Sequence, residues 1–344
     1  MQDNNIKYRI PTPNIDFQPP VYYCLPNKKP FCLDGNLNKD FWNDIPYTDD
    51  FADISGPGFA TPRYRTRAKM CWDKENLYIA ALLEGDEIWA AVTGRDEIVF
   101  ADNDFEVFID PDSDTHHYYE FEMNALNTVW DLLLTKPYRN QGTPVNSWDI
   151  KGLQTAVHID GRLNEPGKHN HSWSVEIVFP FTSFMEGFGN RKHPSPGEYW
   201  RVNFSRVQWQ VDITDGVYIK RLAADKKSPL PEDNWVWAPT GIIDIHYPEL
   251  WGFVFFVNSR EEQPIIPDIE NQKWILRQLY YLEHRHYDTY GRFTKDVDML
   301  TAFPVTIEIT SHSFEIGCRT LDDTGLLFIR EDGKVTYLPD YKEK

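Results

Sequence analysis

The stretch DNDFEVFIDPDSDTHHYYEFEMNALNTVWD, residues 102–131, carries six Asp and three Glu among aromatic and aliphatic side chains. Carboxylates at this density open three kinds of chemistry. Two of them about 5–9 Å apart can cleave a glycosidic bond. Several oxygens on one loop can hold calcium. On an open face, a carboxylate accepts hydrogen bonds from vicinal hydroxyls, and an amide both donates and accepts.

The alternation of acids with Phe, Val, Ile, Tyr and Met reads as strands. Over 104–110, Asp104, Glu106, Phe108 and Asp110 point one way and Phe105, Val107 and Ile109 the other. Over 118–124, Tyr118, Glu120, Glu122 and Asn124 share a face, with Tyr119, Phe121 and Met123 opposite. Loop 111–117 makes the two strands hairpin neighbours. If their apolar faces meet one core, their polar faces coincide too. Glu106, Glu122 and Asn124 then converge on one concave, polar sheet face, the arrangement that sugar hydroxyls want. The competing reading is an ordinary wet face of an antiparallel sheet. For Phe100 it is an ordinary core position.

Within the joining loop, DPDSDT (110–115) sets Asp110, Asp112 and Asp114 at alternate positions, a candidate calcium loop or a solvated turn. The EF-hand pattern fails, since Thr115 replaces its Gly and Phe121 stands at its twelfth position. The histidines His116, His117, His169 and His171 show no metal-ligand spacing, and no nucleophile elbow, P-loop or dinucleotide fingerprint occurs. Trp89, just before the acidic hairpin, is placed to line a site.

The chain of 344 residues has a formal net charge of −18 and 15 % aromatic residues. Such acidity argues against nucleic acid, where a basic footprint must neutralise phosphate, and against an anionic membrane surface. No apolar run reaches the ~18 residues of a membrane span. The N-terminus has no apolar signal core, and reads as a cytoplasmic start or a chain whose signal peptide has been removed. Cys24, Cys32, Cys71 and Cys318 form no CxxC pair and no disulfide framework, although Cys24 and Cys32 are spaced so that they could pair.

These elements divide the chain in three. Residues 1–25, rich in Pro, Asn and Asp, predict an irregular arm. Residues 26–258 predict one all-β unit, because short β-branched and aromatic runs recur between Gly/Pro turns. Residues 259–344 predict a linker, a helix over 268–290 stopped by Gly291, and an antiparallel meander with a tight turn at EDGK (331–334).

The β unit carries a family likeness. LDGNLNKDFWNDI (33–45), WDKENLYIAALLEG (72–85), NDFEVFIDPDSD (103–114), YYEFEMNALNTVWDLLL (118–134), WSVEIVFPF (173–181), PGEYWRVNFSRV (196–207) and WAPTGIIDIHYPELWGFVFF (237–256) follow in one order. In that order they resemble family 9 carbohydrate-binding modules and the wider family-9-like group. The resemblance implies an immunoglobulin-like antiparallel β-sandwich that binds polysaccharide or oligosaccharide without cleaving it. It also implies bound calcium and a secreted, periplasmic or cell-surface setting in glycan degradation. It aligns Phe100 with an aromatic floor, Glu106 with the strand Glu and Asn124 with a sugar-face Asn. Two departures stand out. Glu122 occupies the place of an Arg, and Ile245 the place of the second aromatic, with Tyr247 and Trp251 nearby. A glycoside hydrolase and a sandwich that has lost its sugar are the alternatives.

Overall fold

Phe105, Val107 and Ile109, with Tyr119, Phe121 and Met123 beside them, point inward from one sheet. They meet Ile79, Ala81, Val175 and Ile177 from another, and all are buried in one cluster. The structure, a computed structural model, describes residues 9–167, 169–188, 193–296 and 301–340. Residues 1–8 of the expected arm lie outside these.

The first sheet runs Pro144–Val145, Val129–Leu134, Tyr118–Asn124, Asp104–Asp110, Tyr199–Gln208, Gly252–Phe256. The second runs Thr66–Trp72, Asn76–Glu84, Ser172–Pro180, Gln154–Asp160. Strand Val21–Pro26 joins them. Its first part pairs parallel with Phe253–Phe256, while Leu25 and Pro26 pair parallel with Cys71 and Trp72. The expected irregular arm is therefore wrong for residues 21–25: they close the sandwich. Their short VYYCLP run follows two prolines, which masked the strand signal. Large side chains fill the space between sheets, and truncating one such as Ile177 to Ala costs about 2–5 kcal/mol.

The motif at 33–45 has a physical explanation. Glu176, fully buried on strand Ser172–Pro180, accepts the Trp42 indole N–H at 2.6 Å and the Gly35 and Asp34 amides at 2.8 and 3.0 Å. Lys39 supplies the opposite charge at 2.8 Å. Gly35 has φ +77°, and a Cβ there would stand 2.4 Å from the Val157 carbonyl carbon. Only glycine tolerates both.

Helix Asp268–Tyr290 ends at Gly291, whose φ of 70° lets its amide reach the Tyr287 carbonyl. Leu276, Leu279 and Tyr280 pack on Ile316, Leu327 and Ile329 of a four-stranded antiparallel sheet, Val305–Ile309 to Val335–Pro339. Two buried carboxylates tie this unit to the sandwich. Both carboxylate oxygens of Glu249 accept from Arg139 Nη2 at 2.8 Å, and one also accepts the Tyr281 hydroxyl at 2.5 Å. Glu270 meets Arg201 at 3.3 Å and the Tyr199 hydroxyl at 2.8 Å. Cys24 and Cys32 are free thiols, the first buried and the second exposed, so the conceivable disulfide does not form. Among the described residues, no helix is long and apolar enough to cross a membrane.

Candidate functional site

The register of the acidic hairpin sets Asp104 opposite Asn124, Glu106 opposite Glu122 and Phe108 opposite Glu120. Their side chains lie on the face turned away from the main core. Strand Val129–Leu134 extends that face by placing Trp130 opposite Glu122 and Leu132 opposite Glu120. Half of the face is apolar: Phe108, Tyr118, Leu132 and Leu134 are covered by Trp251 and Ile245. The other half is acidic, and it is not the wet surface that alternation alone suggests. Asp104, Glu106, Glu120 and Glu122 are 0, 6, 6 and 1 % exposed.

Few donors reach these acids. Asp104 accepts the Val207 amide at 3.3 Å and Glu122 the Phe100 amide at 3.1 Å. Burial pushes the Glu106 carboxyl up to about 7, with a Ser205 hydrogen bond opposing and the Glu232 charge adding. Burial, then the charge of Glu106, raises Asp104, Glu120 and Glu122 well above the usual carboxylate range. Each acid is desolvated beside like charges, and both effects favour the neutral form.

An aromatic rim stands beside the acids. Phe100 is 40 % exposed and stacks on half-buried Trp130 at 6.3 Å between centroids. Trp209 donates its indole N–H to the Phe100 carbonyl at 2.9 Å, which holds the short 3-10 turn Val99–Ala101 in place. Tyr138, 39 % exposed, meets His246 edge-on. Trp130, Trp209 and Tyr138 were not expected here. Trp130 was legible, because continuing the alternation across the next strand puts it opposite Glu122. Tyr138 follows the same strand on the short 3-10 turn Tyr138–Asn140, while Trp209 arrives from the end of a strand distant in sequence.

Two expected ligand residues are corrected. Asn124 is fully buried, and its amide is saturated. Nδ2 donates to the Val92 carbonyl and Asp102, while Oδ1 accepts the Leu126 and Thr128 amides. It holds the turn after its strand and has no valence left for a sugar. Tyr247 is also fully buried, in the cluster under the C-terminal helix. Its hydroxyl donates to the Pro11 carbonyl, and Arg139 lies 3.9 Å from its ring centroid. Trp89 is 9 % exposed, and Lys220 stands 6.0 Å from its ring, so it backs the rim and presents little surface.

In the joining loop, carboxylate oxygens of Asp110, Asp112 and Asp114 lie within 4.8 Å of one another. Asp110 is fully buried and accepts the Ser113 and Thr115 amides. Asp114 is paired with Lys334 at 3.1 Å. Burial, then the charge of Asp114, raises Asp112 to about 6. An oxygen-only donor set fits a hard cation, and Lys334 already offsets part of the charge.

Comparison with known proteins bears on this face. The family model described as carbohydrate family 9 binding domain-like matches residues 33–162. Over residues 33–162 the chain is thus similar to that family. The match takes in the acidic hairpin and stops short of position 258, where the sequence motifs end. A proposed carbohydrate-binding protein from Bacteroides uniformis superposes with a TM-score of 0.50 at 15 % identity, covering 70 % of this chain and all of that one, which shows a shared fold. Two structures of a family 9 carbohydrate-binding module from Caldicellulosiruptor kristjanssonii, with cellotriose and with glucose, give a TM-score of 0.44 at 15 % identity. Each covers 72 % of this chain and all of its own. No curated protein matches the chain.

Phe100 lies on the Val99–Ala101 turn and Glu106 on strand Asp104–Asp110, the two positions that the resemblance singles out. Glu122, which the resemblance aligns with an Arg, adds a third buried carboxyl beside Asp104 and Glu106. Ile245, aligned with the second aromatic, is half-buried against the apolar half of the face, and its carbonyl accepts the Trp251 indole N–H at 2.8 Å. The ring that stacks on Phe100 is Trp130, on the neighbouring strand Val129–Leu134.

Proposed function

We propose that this protein binds a neutral polysaccharide or oligosaccharide, without cleaving it, on the outer face of strands Asp104–Asp110 and Tyr118–Asn124. The observation that carries the reading is the exposed Phe100 ring, stacked on Trp130 and held directly beside the Glu106–Glu122 pair. An aromatic face packs on sugar C–H groups, and carboxylates beside it accept hydroxyl hydrogen bonds. The family-9-like match over the same residues supports it. The excess of acids disfavours polyuronates by charge repulsion. Screening the full chain on an array of neutral glycans tests the reading. Binding that disappears in Phe100→Ala, with the melting temperature kept, is the expected result. A blank array with folded protein overturns it.

Calcium in the 110–114 loop belongs to the same proposal. Asp110, Asp112 and Asp114 would hold it, relieving their mutual repulsion and fixing a loop that reaches the C-terminal unit through the Asp114 carbonyl and the Val335 amide. Calcium should raise the melting temperature in the native chain, and the loop's share of that rise should vanish in Asp112→Asn. A secreted or periplasmic setting, where polysaccharide is met, completes the reading, and cell fractionation of the native host tests it.

A second reading rests on one observation. Glu106 is buried with its carboxyl near 7 and faces Glu122, which is how a general acid beside a second carboxylate is built. A glycosidase would release reducing ends from xylan or aryl glycosides and lose that activity in Glu106→Gln. Binding without product formation separates the two.

A further inference from the structure

Glu176, Glu249 and Glu270 are all buried, and each has a cation in contact: Lys39, Arg139 and Arg201. The Asp96, Asp131 and Asp149 group is closed by Arg95. The group on the outer sheet face differs. Oxygens of Asp104, Glu106 and Glu122 lie within 4.8 Å of one another, with Glu120 next along the face. Among the described residues, none of these four carboxylates forms an ion pair. Asp104 is fully buried, and its Oδ2 has no hydrogen-bond partner. Glu120 Oε2, on a side chain 6 % exposed, has none either. Lys220, the cation at the rim, lies 3.3 Å from the Trp209 ring centroid and is held by aromatic faces, not by the acids.

A buried cluster of this kind must be neutralised by protons or by a metal. Its donors are all oxygen, with no imidazole or thiolate, which selects hard divalent cations and not zinc or copper. Glu106 is 6 % exposed, and Glu122 accepts the amide of exposed Phe100, so the cluster adjoins the aromatic rim. We propose that Asp104, Glu106 and Glu122 bind a calcium-class divalent cation, and that ligand hydroxyls reach the protein by completing its coordination shell. The last clause rests on the carbohydrate reading, and the metal site does not. This site is separate from the 110–114 loop: Asp110 lies four residues beyond Glu106 on the same strand, about 13 Å along it.

The full chain, stripped with chelator, is titrated with calcium chloride by calorimetry and with terbium, whose emission Trp130 would sensitise. Asp112→Asn serves as background, since it disables the loop without touching the sheet face. Expected is one remaining site in Asp112→Asn, with terbium emission, both weakened at least tenfold by adding Glu122→Gln. Glu122→Gln should also melt higher than its parent in chelator, because it removes a repelled charge, and should lose the calcium-induced rise. If that pair does not fold, Glu106→Gln takes its place. Equal affinity with and without Glu122→Gln, or no calcium bound by Asp112→Asn, overturns the inference. Glycan binding that persists in chelator overturns the hydroxyl clause while leaving the carbohydrate reading intact. Calcium binding with a blank array overturns the carbohydrate reading and that clause with it, and leaves the metal site standing.

Discussion

Glu122 stands directly opposite Glu106 in the strand register, and its Oε2 accepts the Phe100 amide at 3.1 Å. The acid pair and the exposed ring are thus one unit, built by two adjacent strands and a single turn. Replacing Phe100 with Ala removes the ring without opening the core. Stability should change by less than about 1 kcal/mol, as for an exposed site. Affinity for a bound neutral oligosaccharide should fall roughly tenfold or more, which is about 1.4 kcal/mol. Calorimetry alongside a thermal melt checks both numbers. A melt that collapses would mean that Phe100 is a core residue.

Glu176 is the hub of the 33–45 motif. Glu176→Ala leaves Lys39 and the Trp42 indole without their buried partner. Removing one member of a buried pair costs about 3–5 kcal/mol. Denaturant unfolding should show a loss of that size. A loss below about 1 kcal/mol would mean that the motif is held by packing alone.

The C-terminal unit should not be dispensable. Arg139→Ala leaves Glu249 with the Tyr281 hydroxyl and a longer 3.7 Å contact to Arg277, so about 3 kcal/mol should be lost, the low end for breaking a buried pair. Deleting residues 259–344 removes Glu270, the carboxylate that pairs with Arg201, and uncovers Tyr247, so that fragment should aggregate. Soluble, cooperatively melting fragment 1–258 would refute this.

Two histidines set a pH dependence. Burial lowers His246 and His284 to about 4, from an ordinary value of about 6.5. Between these values the unfolded chain binds protons that the folded chain refuses. Stability is therefore full above about 6.5 and falls as pH drops toward 4, by up to roughly 3 kcal/mol per histidine. The raised carboxylates of the sheet face act in the opposite sense over the same range. The measurement is therefore the difference in slope between the native chain and His246→Gln. An identical slope in both would show that His246 titrates normally.

Much of this architecture can be read from alternation and turn chemistry. The inward set Phe105, Val107 and Ile109 and the outward set Asp104 and Glu106 follow from a period of two. A short joining loop makes the strands neighbours, and Gly291 ends the helix. The same reasoning misassigned Asn124, because a strand period tells which way an amide points and not whether the next turn consumes it. It misassigned Tyr247, whose neighbours Pro11 and Arg139 are more than a hundred residues away in sequence.

By itself, then, the sequence determined the strands, their faces, the pairing of Glu106 with Glu122 and the order of the family motifs. Local periodicity and turns suffice for those. Only the tertiary structure decided that the acidic face is buried and forms no ion pair among the described residues, that Trp130 and Trp209 frame Phe100, and that strand Val21–Pro26 bridges the sheets. Burial and charge compensation depend on what segments distant in the chain bring over a face, and neither is encoded in the spacing of the residues that form it.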